Sequence, residues 1–303
     1  MGIFGAVRRM KGREGAETKE AVKLKTWKKK FSKVSFRNKN LWKSYGSLVA
    51  VISSIVTLVS FCMPPSGGWK WRMGCSFLFL LFLAGLFVYQ WYQANQADCA
   101  ELKINGTNVN VRIGDIFEQN GLKVIGVNNY MDLEADDVVV SKATLHGKFL
   151  MRHQDEIGGI REAVADSKTL IAEKDCANSG RPSYDYGSCV LYQDYVLTVL
   201  TKFNEKNMAY TDIGEYIRFW MVFWENMDTL YNSRTINIPI LGAGQTRFRG
   251  VKPKKQELLE IALWTLKESG FCNHYADASI NFWVYEGDAA EIDFYRVRRM
   301  GED

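Results

Sequence analysis

The chain lacks the features that would staple it or give it a metal. Its six cysteines (Cys62, Cys75, Cys99, Cys176, Cys189 and Cys272) are scattered, with no CxxC pair. That removes the spacing on which a zinc site or a disulfide framework depends, and reduced thiols in a cytosolic domain are expected. A secretory signal is not expected either, because the first apolar run begins far from the N-terminus and a second follows at once. Gly2 follows the initiator Met, but Ala6 stands where the myristoylation pattern needs Ser or Thr. No internal repeat or low-complexity linker interrupts the chain.

Two stretches lack charge altogether. Residues 46–63, GSLVAVISSIVTLVSFCM, are eighteen residues without one, and a second uncharged run covers 73–97. Each is long enough to cross a hydrocarbon core of about 30 Å. Between them PPSGGWKWR makes a short turn, and Trp42, Tyr45, Trp69, Trp71, Trp91 and Tyr92 flank the runs at the depth where amphipathic rings settle. The plainer alternative is a buried helical hairpin of a soluble fold. In the first run Gly46, Ala50, Ser53, Thr57 and Ser60 share one helical face. Such a face suits close helix packing, either on the second helix or on another copy. The second run is crowded with Phe and Leu and suits lipid.

The near-neutral mean hydropathy hides a division of charge. Residues 1–45 carry fourteen Lys/Arg and three Glu, a net +11, whereas 93–303 carry 23 basic and 31 acidic residues, a net −8. An acidic globular part argues against nucleic-acid binding. The basic N-terminus predicts, by the positive-inside rule, that it stays cytoplasmic and that two crossings return the large domain to the cytoplasm. Lys70 and Arg72 in the turn oppose this but are outnumbered. Ahead of the first run, Leu24, Trp27, Phe31 and Val34 form a stripe among lysines, the pattern of an interfacial helix on anionic lipid; a disordered basic tail is the alternative. The expected organisation is a basic segment 1–44, two transmembrane helices in 45–97 and a soluble domain 98–303.

Beyond residue 98, strand-like and helix-like segments alternate, which predicts an α/β domain. Strands are expected at 108–112, 123–127, 188–192, 195–200, 235–240, 278–284 and 293–297, and helices at 148–173, 211–231 and 254–269. The aromatics Tyr216, Phe219, Trp220, Phe223 and Trp224 recur at helical spacing and read as core or subunit interface rather than a stacking platform.

Three segments carry candidate chemistry. In Arg112-Ile113-Gly114-Asp115-Ile116-Phe117 a Gly-Asp turn follows a strand; Asp115 can accept from an exocyclic amine or simply cap a helix. In 124–130 an apolar strand runs into Asn128 and Asn129 at its carboxyl end, where open α/β sheets place ligands; an Asn-rich turn is the alternative. In 237–247 a strand ends in Gly242-Ala243-Gly244, followed by Gln245, Thr246 and Arg247. Glycines let the main chain close on a ligand, successive N–H groups can cradle phosphate, and Arg247 and Arg249 can add charge. Neither the Walker P-loop nor the Rossmann pattern is present.

The order of these segments, with the loop 141–147 (Ser-Lys-Ala-Thr-Leu-His-Gly) between the second and third, resembles the macro domain over about residues 107–298. The resemblance implies a macro-like three-layer mixed sheet behind the transmembrane hairpin, with ADP-ribose or a derivative as ligand and no cofactor. It also implies roles for particular residues. Asp115, with Ile116 beside it, would hold adenine. Asn128 and Asn129 would line the distal ribose, and Gly242, Ala243, Gly244, Gln245, Thr246 and Arg247 would hold the diphosphate. Leu145, His146 and Gly147 stand where the family has a first glycine run, a departure that weighs against hydrolase activity.

Two N-terminal transmembrane helices with such a domain resemble effectors of the Thoeris antiphage system. That likeness implies a TIR-domain partner that makes an NAD-derived signal, and a homo-oligomer in the bacterial inner membrane that damages the bilayer once the signal binds. A membrane-tethered ADP-ribosyl hydrolase is the alternative, with His146, Asp132 or Glu134 as base. A passive anchor with a vestigial pocket is a third.

Overall fold

A computed structural model describes residues 34–62, 68–137, 139–173, 181–203, 208–271 and 279–301. The chain divides into two compact units: Met1–Ala97 with Asp293–Arg296, and Asp98–Ile292 with Val297–Asp303.

The first unit contains helices α1 (Lys39–Cys62) and α2 (Trp69–Gln96). Their 24 and 28 residues span about 36 and 42 Å at 1.5 Å per residue. Both are long and apolar enough to cross a membrane, and almost nothing in their apolar windows is buried. Of the small-residue face on α1, Gly46, Ala50, Thr57 and Ser60 are exposed and Ser53 is half-buried. The face is therefore not what seats α1 on α2. Thr57 bonds back to the Ser53 carbonyl at 2.8 Å, so its hydroxyl is satisfied within the helix.

The two helices meet at their base instead. Val34, Leu41, Phe87 and Ala94 are buried together with Tyr45, Trp91 and Tyr295 packed on them. The rings of Phe36 and Trp42 stand 5.0 and 4.5 Å from that of Phe87. Buried Asn95 clamps the main chain of Val34: the Val34 N–H donates to Asn95 Oδ1 at 2.9 Å, and Asn95 Nδ2 donates to the Val34 and Trp91 carbonyls at 3.4 and 2.9 Å. The Trp91 indole donates to the same Val34 carbonyl at 2.9 Å. Val34 lies in a bend rather than a helix; Leu24, Trp27 and Phe31, the rest of the expected interfacial stripe, fall outside the described residues.

The second unit is built on one mixed sheet. In chain order it comprises β1 (Cys99–Ile104), β2 (Thr107–Ile113), β3 (Leu122–Asn128), α3 (Leu145–Arg152), α4 (Ile157–Asp166), β4 (Cys189–Tyr192), β5 (Tyr195–Phe203), β6 (Ala209–Thr211), α5 (Ile213–Leu230), β7 (Ile236–Pro239), β8 (Arg247–Phe248), α6 (Lys255–Glu268) and β9 (Ser279–Val284); the last helix, α7 (Phe294–Arg299), is divided between the two units. The strand order is β1-β2-β9-β7-β3-β5-β6-β8, with β4 also on β5. Strands β2, β9, β7, β3 and β5 run parallel, and β1 is antiparallel at the edge. Asn105 and Gly106, at φ +46° and +91°, make the two-residue turn that joins β1 to β2, the Asn-Gly chemistry that such turns select.

Both faces of the central strands are covered, as parallel sheets require. On one face Ile125, Val127, Leu197 and Val199 meet Phe149, Leu150 and Ile160 of α3 and α4. On the other, Trp220 of α5 lies 6.3 Å from the ring of Phe282, and Trp224 donates to Thr265 of α6 at 3.3 Å. The five α5 aromatics are buried, so they are core. Their helix starts at a reciprocal capping box between Asp212 and Glu215, worth about 1 kcal/mol.

Two expected elements differ. The helix predicted over 148–173 is two, α3 and α4, separated by a 3-10 turn Gln154–Glu156, and it ends at Asp166. The first part ends at His153, whose ring turns back on the Phe149 carbonyl at 2.9 Å, the same acceptor that its N–H uses at 3.2 Å. The strand predicted over 293–297 is the start of α7. Asp293 accepts from Arg296 N at 2.9 Å as an N-cap, and the buried pair Phe294 and Val297 has helical, not alternating, spacing.

Candidate functional site

The carboxyl ends of the five parallel strands form one edge of the sheet. From that edge β3 leads into α3 and α4 on one face, whereas β7, its neighbour, leads through β8 to α6, which packs with α5 on the other. Connections that leave adjacent strands toward opposite faces open a crevice between them, the position where open α/β sheets take ligands. The loops flanking that crevice are those after Asn128 and after Pro239, two of the three segments expected to bind. The third, Gly114-Asp115-Ile116, follows β2 on the same edge.

At β2, Asp115 is exposed and Ile116 buried. One carboxylate oxygen of Asp115 caps the following 3-10 turn by accepting from Phe117 N at 3.0 Å; no other protein donor reaches this carboxylate among the described residues. The capping role and a ligand role are thus compatible, because the second oxygen is open.

At β3, Asn128 Oδ1 accepts from Tyr130 N and Asp132 N at 3.0 and 3.4 Å, and its Nδ2 donates to Asp132 at 3.0 Å. Asn129 is pinned further: Nδ2 donates to Ser183 Oγ at 2.8 Å and Oδ1 accepts from Phe203 N at 2.9 Å. Its amide joins the end of β3 to the end of β5. Asp132 is also paired with Arg181, whose guanidinium lies 4.8 Å from the Tyr130 ring centre. Beside this group Lys202 bridges Glu173 and Asp185 at 2.6 and 2.9 Å. Burial would raise the Asp185 pKa, but the Lys202 hydrogen bond and charge, with Arg218, bring it below the ordinary carboxylate range.

Leu145, His146 and Gly147 are the first turn of α3, capped by Thr144, which accepts from Gly147 N at 3.0 Å. A Cβ on Gly147 would stand 2.2 Å from the Ser141 carbonyl oxygen, so the helix can lie against that loop only with glycine there. His146 is 6% exposed and its Nε2 has no partner among the described residues. Burial drives its pKa down to about 4 against the opposing pull of nearby Asp132, so the imidazole is neutral at pH 7.

The loop after β7 runs to β8, which lies beyond β3, β5 and β6 in the sheet. It therefore spans the carboxyl edge at the crevice. Gly242 sits at φ +81°, a conformation that other residues adopt only under strain. The Ala243 N–H closes the turn onto Ile240 at 3.2 Å, and Lys252 holds the Gly244 carbonyl at 2.8 Å. Among the described residues, the N–H groups of Gly242, Gly244, Gln245 and Thr246 meet no protein acceptor, which leaves four donors in five residues for an anion. Arg247 is displaced from this group: it is in β8, exposed and paired through its main chain with Tyr210.

Two neighbours were not anticipated from sequence. Tyr285, 68% exposed, follows β9 between the ends of β2 and β7. Arg181 reaches Asp132 from 49 residues away, a separation with no sequence signature.

The family described as "Thoeris protein ThsA, Macro domain" matches residues 109–284. The Thoeris protein ThsA of Bacillus amyloliquefaciens (strain Y2) is 32% identical over 268 residues, which cover 84% of this chain and 86% of that protein. Among solved structures, the Oceanobacillus iheyensis macrodomain with ADP aligns with a TM-score of 0.38 and 13% identity, over 67% of this chain and 95% of that one.

Proposed function

Because this chain belongs to the Thoeris ThsA macro-domain family, we propose that it is an antiphage-defence membrane effector whose sheet domain binds an NAD-derived, ADP-ribose-type signal made by a TIR-domain partner. The observation that carries the reading is the row of N–H groups from Gly242 to Thr246 that meet no acceptor among the described residues, beside the crevice between β3 and β7. Backbone donors at that position suit a diphosphate. Asp115 would take the exocyclic amine of the base with Tyr285 against its face, and the Asn128–Asp132–His146 group would meet the distal end.

Helices α1 and α2 would cross the bacterial inner membrane, with the N-terminus and the sheet domain cytoplasmic by the positive-inside rule. Ligand binding would shift the population toward an assembled, membrane-damaging state. The outward small-residue face of α1 is available for contact between copies, because the hairpin itself does not use it.

Binding has more support than hydrolysis. A base with a pKa near 4 is poorly matched to proton abstraction at neutral pH. Thermal shift of the full chain in detergent with a panel of NAD-derived nucleotides tests the reading, because a ligand that binds only the folded state must raise its stability. The expected result is a shift with ADP-ribose-type ligands that is lost in Gly242→Val, together with a larger particle on size analysis. Equal melting with and without every nucleotide would remove the sensing role.

A further inference from the structure

The turn that carries Asp115 rests on the indole of Trp283. A Cβ at Gly114 would stand 2.9 Å from Cε3 and Cζ3 of that ring, closer than packed carbons come, so glycine lets the main chain lie directly on it. Trp283 is on β9, in register with Arg112 of β2 on one side and Pro239 of β7 on the other. Its indole N–H donates to Asn237 Oδ1 at 2.9 Å.

Asn237, only 1% exposed, then reaches the far end of the same loop. Its Nδ2 donates to the Asn120 and Leu122 carbonyls at 2.8 and 3.1 Å. Its Oδ1 takes a second bond from Asn281 at 3.2 Å, and Asn281 in turn accepts from Asn110 at 2.8 Å. All four bonding positions of the Asn237 amide are thus filled. One buried side chain fixes the ring under the start of the loop and the main chain at its finish. Gly114 N to Val284 O at 3.0 Å, and Gln119 Nε2 to Asp115 O at 2.8 Å, complete the frame.

We propose that Trp283 and Asn237 are positioning residues for the base-binding carboxylate: through the stack on Gly114 and the bonds to Asn120 and Leu122 they set where Asp115 stands, without touching ligand. The inference rests on the assignment of Asp115 to an exocyclic amine. A fully satisfied buried amide holds its neighbours in one geometry, and hydrogen-bond discrimination depends on that geometry, because a misplaced acceptor no longer separates a base that donates there from one that does not.

The test compares ADP-ribose with its inosine counterpart, which has a carbonyl in place of the amine, by calorimetry on the full chain in detergent. The wild type should prefer the adenine form. Trp283→Phe keeps an aromatic surface but loses the bond to Asn237, and should shrink that preference by about tenfold, the worth of roughly one well-aligned hydrogen bond. Affinity for the inosine form should be little changed. Gly114→Ala, which pushes the turn off the ring while leaving Trp283 and Asn237 in place, should do the same and serves if Trp283→Phe does not fold. A wild type that binds both nucleotides equally would overturn the Asp115 assignment itself. A wild type that discriminates, with variants that discriminate as well, would leave Asp115 in its role and overturn the positioning role of Trp283 and Asn237.

Discussion

Along α2, Phe77, Leu78, Leu80, Leu81 and Phe82 are each more than half exposed, whereas along α5 Tyr216, Phe219, Trp220, Phe223 and Trp224 are each buried. The two helices draw on similar side chains and put them in opposite places. A helix that is apolar all round, with almost nothing among the described residues to cover it, is long and apolar enough to cross a membrane. A helix with aromatics at positions three and four apart needs a partner on one side, and α5 has the sheet and α6. The polar groups differ in the same sense. In the sheet domain, buried amides such as Asn129 and Asn237 bond across strands and loops. In the hairpin, the hydroxyls of Ser54, Thr57 and Ser76 bond back within their own helix; Tyr45 reaches across to the Leu83 carbonyl of α2 at 2.9 Å, and the amide of Asn95 at the base is the main exception.

The largest test of this contrast is truncation. Trp220→Ala should cost the sheet domain about 3–5 kcal/mol, read by urea unfolding of the full chain in detergent. Leu80→Ala should leave that transition where it was. Similar losses for the two would mean that the exposed α2 side chains are packed against protein after all.

A second test uses proton uptake by the domain's interior. His146 has a folded pKa of about 4 against an ordinary 6.5, so the unfolded chain binds the extra proton first. This contribution to stability is complete above pH 6.5 and falls as pH drops, with about 3 kcal/mol gone by pH 4. His146→Gln should flatten that limb. Asp185 acts lower: its depressed carboxyl stabilises above the ordinary value of 3.8 and loses that contribution only as pH falls further. An unchanged acid limb in His146→Gln would mean that the imidazole is not sealed from water.

The smallest effect belongs to the hairpin's exception. Asn95→Leu strips the partner from the Val34 N–H, while the Val34 carbonyl keeps its bond from Trp91, and should cost about 1–3 kcal/mol, visible as faster hydrogen exchange at Val34 with the sheet domain's urea midpoint unchanged. If the sheet domain loses stability equally, the clamp is not local to the hairpin.

The two units were also unequally legible. Uncharged runs and their aromatic flanks mark α1 and α2 by composition, because a helix long and apolar enough to cross a membrane is recognised by run length alone. The three loops on the carboxyl edge were readable because turn chemistry is local. The strand β1 should have been: Asn105-Gly106 between alternating residues is a hairpin signal, obscured by the apolar run that ends just before it. The break at His153 was not readable, because the sequence across it is otherwise helical. Nor were the contacts that frame the site. Trp283 with Asn237 and Arg181 with Asp132 are 46 and 49 residues apart, and only the sheet order brings them together.

The Asn95 clamp also has a consequence in time. Val34 leaves the ribosome before either apolar helix and Asn95 at the end of the second, 61 residues later. At about 5–20 residues per second, synthesis separates the two by roughly 3–12 seconds. No nascent chain that stops short of the end of the second helix can make the bond. The clamp is therefore a mark of completion, present on a finished hairpin and missing from every truncated one.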